Sequence, residues 1–249
     1  MRRWVQVLGW TLVWSGLFGI GFVGWQVFGT DVANGRVQAA AGIQLEQSFV
    51  QTRQDLPEVE EVPVLEVGEV SVADVAPESA PEVVEYYAED QPAEDTEFAY
   101  LSIPSLDLEA VVFEGVTVET LRKGPGHMPW TPLPGQAGNA VISGHRTTYG
   151  RPFLDLDQLK PGDRIEIETT IGIHVYVVRD SFVVEPTDVW VTEDREGSWL
   201  TMTTCNPKFS ARERLIITAE LVEGPNAAYM SFLLEGRVKG RLIAPSPAE

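Results

Sequence analysis

The sequence predicts an all-β fold, a closed β-barrel with a few short helices, carried behind an N-terminal transmembrane helix and a disordered acidic linker. Three observations lead there. Seven short apolar runs fall between Phe98 and Val222, separated by turn formers such as Lys160-Pro-Gly-Asp163. A continuous apolar run covers Trp4 to Phe28, and an acidic, proline-punctuated stretch lies between that run and the β-like region.

The N-terminus reads as an anchor. Met1-Arg2-Arg3 places positive charge ahead of the apolar run, which is long enough for the ~20 residues a bilayer requires. Trp4 and Trp25 lie near its ends, where amphipathic rings favour the interface, and the Arg pair sets residues 1–3 on the cytoplasmic side and the remainder outside. Ala39-Ala40-Ala41 would suit cleavage of a signal peptide, but the apolar run exceeds a signal core of roughly 7–15 residues, which favours an uncleaved span over residues 4–28.

Residues 29–97 read as a juxtamembrane segment and linker. From Leu45 to Glu97 sixteen carboxylates face the single base Arg53, and prolines stand at 57, 63, 77, 81 and 92. Self-repulsion and helix breaking favour a solvated, extended spacer with a contour on the order of 150 Å. An acidic interaction tail is the alternative.

The catalytic-domain candidate spans 98–222. Its strand candidates are 98–103, 108–113, 140–144, 164–168, 173–178, 199–204 and 215–221, with short helices at Val118–Lys123 and Pro152–Leu159. Residues 223–249 hold an apolar 229–234 run followed by Arg237, Lys239 and Arg241, and take no assigned role.

The formal charge of −19, without a basic cluster, argues against a nucleic-acid partner. One cysteine excludes an intramolecular disulfide and a CxxC metal or redox pair, and no EF-hand loop occurs, so neither metal nor cofactor is expected.

That cysteine, Cys205, ends the run Thr201-Met-Thr-Thr-Cys205 and is followed by Asn206-Pro207. His145 closes another strand candidate, and Arg214 opens the strand after the Cys loop, nine positions on. A thiol with a pKa near 8.5 needs a cation or base beside it at neutral pH, and an acyl-transfer oxyanion needs a fixed positive donor. These three residue types meet those needs, although such a set occurs in many sequences by chance.

The motifs carry more. Leu200-Thr-Met-Thr-Thr-Cys205 resembles the sortase TLxTC signature, Gly138-Asn-Ala-Val-Ile-Ser-Gly-His145 resembles the family's GNxxIxGH pattern, and Arg214-Leu-Ile-Ile resembles the strand bearing its arginine. The strings GPGHMPWTPLPGQ, HRTTYGRPF and TCNPKFSARERLI are similar to class E sortases, housekeeping-type enzymes of many actinobacteria. The resemblance covers Phe98 to Val222. It implies a sortase-type barrel and a cysteine transpeptidase that cleaves an LAxTG- or LPxTG-like sorting signal after Thr. Cys205 would be the nucleophile, His145 the acid and base, and Arg214 the oxyanion or backbone donor, with Thr204 adding a hydroxyl or amide. The partners implied are surface proteins bearing a C-terminal sorting signal and an amine of lipid II or a peptidoglycan stem peptide. Asn206 stands where many relatives carry His.

Other residues have plainer readings. His127 reads as a structural hydrogen-bonding residue in preference to one bordering the active site, His174 as an ordinary sheet residue sharing a face with Tyr176, and Tyr149 and Trp190 as core or rim aromatics in preference to a lining of the substrate groove. The rival functions are a pilin-polymerising sortase, an L,D-transpeptidase, whose SHGC-like motif is missing because Thr204 precedes the thiol, and a tethered binding module with an inert Cys205.

Overall fold

The computed structural model of the chain describes residues 2–25, 29–55, 85–234 and 241–243. Helix α1 (Arg2–Gly24) is apolar on all sides, and its stretch Arg3–Gly24, with a mean hydropathy of 1.6, is long and apolar enough to cross a membrane. Helix α2 (Thr30–Asp55) is the next described element.

The strands are β1 (Glu85–Tyr87), β2 (Glu97–Ile103), β3 (Leu108–Glu114), β4 (Gly126–His127), β5 (Gly138–Ser143), β6 (Arg164–Thr169), β7 (Gly172–Val184), β8 (Ser198–Asn206), β9 (Glu213–Glu223) and β10 (Arg241–Ile243). Eight of them, β2 to β9, close into a barrel in the order β2-β3-β4-β5-β8-β9-β7-β6. The predicted barrel is therefore present, and closure removes the exposed edges that an open sheet of this size would leave. All seven predicted strands form. The barrel's eighth, two-residue β4, carries too little pattern to be seen in advance.

Strand alternation decides which side chains fill the barrel. On β8, Leu200 and Met202 point into the core with Leu215, Ile217 and Ala219 of β9 and Ala140 and Ile142 of β5. Each fully buried Leu, Ile or Met of this set contributes roughly 1.5–3 kcal/mol by leaving water. The complementary set, including Thr203, Cys205, Arg214 and Ile216, stands on the barrel's outer surface.

Helix α3 (Val118–Lys123) forms where the sequence places it, with the Thr117 hydroxyl accepting from the Thr120 amide at its N-cap. The other helix expected, Pro152–Leu159, does not form. Only a 3-10 turn, Leu156–Gln158, is present, because Phe153 and Leu156 are drawn into the barrel core and so short a segment cannot sustain an α-helix alone.

The expectation of a linker from 29 to 97 is corrected at both ends. Helix α2 packs on the barrel through Ala41, Leu45 and Phe49, which form a second buried cluster with Val111 and Phe113. Its polar residues dock too: the Gln38 side chain accepts from the Val111 amide (2.7 Å) and donates to the carbonyls of Val111 (3.2 Å) and Lys123 (2.7 Å). Gly42 lets the helix approach closely, since a Cβ there would collide with the Tyr100 hydroxyl. A helix whose docking stripe mixes Asn34 and Gln38 with Ala41, Leu45 and Phe49 satisfies backbone groups of the barrel domain as well as burying apolar surface, which is why its composition resembles a linker. At the other end, β1 pairs in parallel with β10, and Glu89 accepts from the hydroxyls of Thr169 and Thr170. The acidic residues between, 56–84, lie outside the described residues, yet both flanks rest on the domain. The acidic stretch therefore follows, and does not precede, the first helix that docks on the barrel.

The C-terminal segment also has a place. Helix α4 (Ala227–Leu234) buries Met230, and Asn226 donates to the carbonyls of Gly135 (3.0 Å) and Tyr87 (2.8 Å) while accepting from the Tyr87 amide (2.8 Å).

Candidate active site

Cys205, His145, Arg214 and Thr204, scattered over 70 positions of sequence, line one cleft of about 260 Å³ on the outer face of the barrel. Its floor is the sheet β5-β8-β9-β7, one wall is Leu121 of α3 with Met128, and the other is the segment after β7, including Glu185, Pro186, Asp188 and Val189.

Register places the key groups. Strands β5 and β8 are parallel, with Ser143 opposite Thr203, so the chain beyond β5 carries Gly144 and His145 alongside Thr204 and Cys205. The Gly144 amide donates to the Thr203 carbonyl (3.1 Å), and the Thr204 hydroxyl donates to the Gly144 carbonyl (2.7 Å), fixing that extension. Strands β8 and β9 are antiparallel, with Cys205 directly opposite Arg214. Paired residues share a face, so the guanidinium stands beside the thiol's surface.

The His145 ring packs on Tyr149 with centroids 5.0 Å apart, and Arg122 of α3 lies over that tyrosine, its guanidinium carbon 5.5 Å from the ring centre. Burial, seconded by the Arg122 charge, holds the imidazole below its ordinary pKa of 6.5. Its Nε2 is buried with no protein partner among the described residues, leaving that atom free for a proton transfer. Arg214 is oriented by donation from Nη1 to the carbonyls of Ala211 (2.9 Å) and Glu213 (2.9 Å). The thiol of Cys205 is free and half-buried.

Two features escaped the sequence reading. Arg146, only 3% exposed, donates from Nη1 to the Cys205 carbonyl (3.1 Å) and the Asn206 side-chain oxygen (2.6 Å), and pairs with Asp157 (3.1 Å). It sits next to His145 in sequence, so it ties the histidine's strand to the backbone of Cys205. Asn206 completes the tie by donating from Nδ2 to Glu213 (2.9 Å), a role that accounts for an amide after the cysteine. The adjacency of His145 and Arg146 was visible, but nothing local signals that the second side chain turns inward.

The remaining candidates fall as the plainer readings had them. His127 Nδ1 is paired with Glu114 Oε2 (2.8 Å), while Nε2 contacts the Pro132 carbonyl (3.0 Å) and the Thr131 hydroxyl (3.0 Å), all inside the protein. His174 is buried with Tyr176 and bonded through Nε2 to Thr169 (3.1 Å). Trp190 stacks on Phe182 at the rim, with centroids 5.8 Å apart. Among the described residues no group of His, Cys, Asp and Glu is arranged to hold a metal ion.

This fold and cleft define a β-barrel with a surface-facing Cys, His and Arg. A family model described as "Sortase domain" matches residues 101–222, and the chain belongs to the sortase family. Sortase SrtE1 of Streptomyces coelicolor is 34% identical over 142 residues, covering 51% of this chain and 40% of that protein. Sortase D of Bacillus subtilis is 32% identical over 108 residues, covering 43% of this chain and 53% of its own length. The chain thus spans about half the length of these curated relatives. Among solved structures, sortase E1 from Streptomyces coelicolor with a tripeptide in its active site is 30% identical with a TM-score of 0.50, covering 55% of this chain and 96% of that one. The sortase D5 transpeptidase of Clostridium perfringens shares the fold at a TM-score of 0.56 and 23% identity, over 76% of this chain and 99% of that one.

Proposed function

We propose that the chain is a class E-like sortase, a membrane-anchored cysteine transpeptidase that cleaves an LAxTG- or LPxTG-like sorting signal after Thr and passes the acyl group to a cell-wall amine. The observation that carries this reading is the opposition of Cys205 and Arg214 across β8 and β9, with His145 brought alongside in the same cleft.

The chemistry follows from those positions. The Cys205 thiolate adds to the Thr carbonyl, and the oxyanion that develops is met by the Arg214 guanidinium. Collapse breaks the Thr–Gly bond, with His145 giving its proton to the departing amine and a thioester left on Cys205. The acceptor amine of lipid II or a stem peptide then attacks the thioester, its proton passes to His145, and the thiolate is regenerated. No metal or cofactor enters. Helix α1 would span the membrane with residues 1–3 in the cytoplasm, placing the barrel outside, where surface proteins meet wall precursors.

The test uses the full chain in detergent, because removing α2 would uncover Val111 and Phe113. Incubation with LAxTG and LPxTG peptides should give a Cys205 thioester detectable by mass spectrometry and lost in Cys205→Ala. A folded protein that forms no adduct with either peptide sinks the proposal.

A further inference from the structure

The loop that follows His145 is unusual in its backbone. Tyr149, Gly150 and Arg151 all have positive φ, at 52°, 78° and 51°. Left-handed conformation costs a non-glycine residue of order 1–2 kcal/mol, so a run containing Tyr and Arg persists only where surrounding contacts impose it.

Those contacts come from the first turns of α2. Asp31 accepts from the Gly150 amide (3.1 Å) and pairs with Arg151 (2.8 Å). Asn34 is buried, and a Cβ on Gly150 would strike its side-chain oxygen, so helix and loop are in close contact. The Asn34 amide also donates to the carbonyls of Arg122 (2.9 Å) and Lys123 (2.8 Å), capping the end of α3. Arg122 in turn covers Tyr149, and Tyr149 packs on His145. One short stretch of helix thus grips both supports of the catalytic imidazole.

We propose that Asp31 and Asn34 are positioning residues for His145, so that docking of the membrane-proximal helix onto the barrel sets the geometry of the catalytic loop. The same stretch is the part of the domain nearest in sequence to the proposed anchor, since the seven steps from Gly24 to Asp31 span at most about 25 Å. Release of α2 would free the Tyr149–Arg151 loop and move Arg122 away from the imidazole. The other titratable or charged groups lining the cleft with His145 are Cys205 of β8, Arg214 of β9, and Glu185 and Asp188 beyond β7.

The kinetic arm of the test rests on the sortase reading; the titration arm does not. In full-length protein in detergent, the Asp31→Ala/Asn34→Ala variant should lower kcat for acyl transfer roughly tenfold while KM stays within a factor of about two. The His145 proton-NMR titration midpoint should rise toward 6.5 as Arg122 withdraws. The charge exchange Asp31→Arg with Arg151→Asp should recover part of both effects relative to Asp31→Arg alone. A double variant whose melting temperature falls while kcat and the His145 midpoint stay at wild-type values overturns the inference, because α2 is then only a brace. If the wild-type protein transfers no acyl group, the function fails and the titration alone decides this inference.

Discussion

Cys205 and Arg214 face each other as a direct cross-strand pair at the end of β8 and the start of β9, so thiol and guanidinium are held by sheet register and not by a mobile loop. The nine positions that separate them in sequence take in the Asn206–Glu213 pair and the six-residue connection 207–212. Because Arg214 is aimed by two backbone carbonyls, charge alone should not replace it. Arg214→Lys is expected to lower kcat about 10²-fold, and Arg214→Ala further, while the alkylation rate of Cys205 by iodoacetamide changes less than threefold. An equal loss in alkylation would assign Arg214 to thiol activation instead.

Arg146 should matter out of proportion to its distance from the reaction. Removing a buried guanidinium leaves Asp157, the Cys205 carbonyl and the Asn206 oxygen without their shared donor. Arg146→Ala is expected to lose about 3 kcal/mol in urea unfolding. Arg146→Lys, which keeps charge but cannot reach three acceptors in one plane, should retain more stability and still lose kcat about tenfold.

The Thr204 hydroxyl is committed to the Gly144 carbonyl, which changes the expectation that it donates to substrate. Thr204→Val should therefore cost about 1–2 kcal/mol of stability and lower kcat only several-fold. A loss of 10²-fold or more with stability unchanged would restore the oxyanion role.

His174 sets an acid limit on the fold. Burial pushes its pKa from 6.5 down to about 4. The folded state therefore resists a proton that the unfolded chain accepts, so this stability is fully present above pH 6.5 and is lost as pH falls toward 4. The loss is about 3 kcal/mol across that window. Urea unfolding at pH 7 and pH 4 should show His174→Gln losing less than the wild type over the same interval; parallel losses would place acid sensitivity elsewhere.

The barrel was legible because its strands are short apolar or β-branched runs, such as the one carrying the core residues Leu200 and Met202, between strong turn signals. That Cys205, His145 and Arg214 would come together in one cleft was legible through the motifs around Cys205 and His145. Helix α2 was not. Its docking positions Asn34, Gln38, Ala41, Leu45 and Phe49 follow helical spacing, but two are polar, and Gly35 and Gly42 weaken the local signal. The pairing of β1 with β10 joins segments more than 150 residues apart, and neither three-residue strand has enough pattern to announce it. Arg146 was hidden for a related reason: a charged residue reads as surface until its partners on β8 are in place.

The docking of both α2 and β1 on the barrel has a bearing on how this chain tolerates change. Residues 56–84 join two fixed points of one domain, so halving that stretch alters a closure entropy by only about 0.6 kcal/mol and leaves every anchored coordinate untouched. Insertions between α1 and α2 are the opposite case: with α1 spanning a bilayer as proposed, they change how far the docked helix α2 stands from it. Length variation should be permissive in the acidic stretch and restricted at residues 25–29.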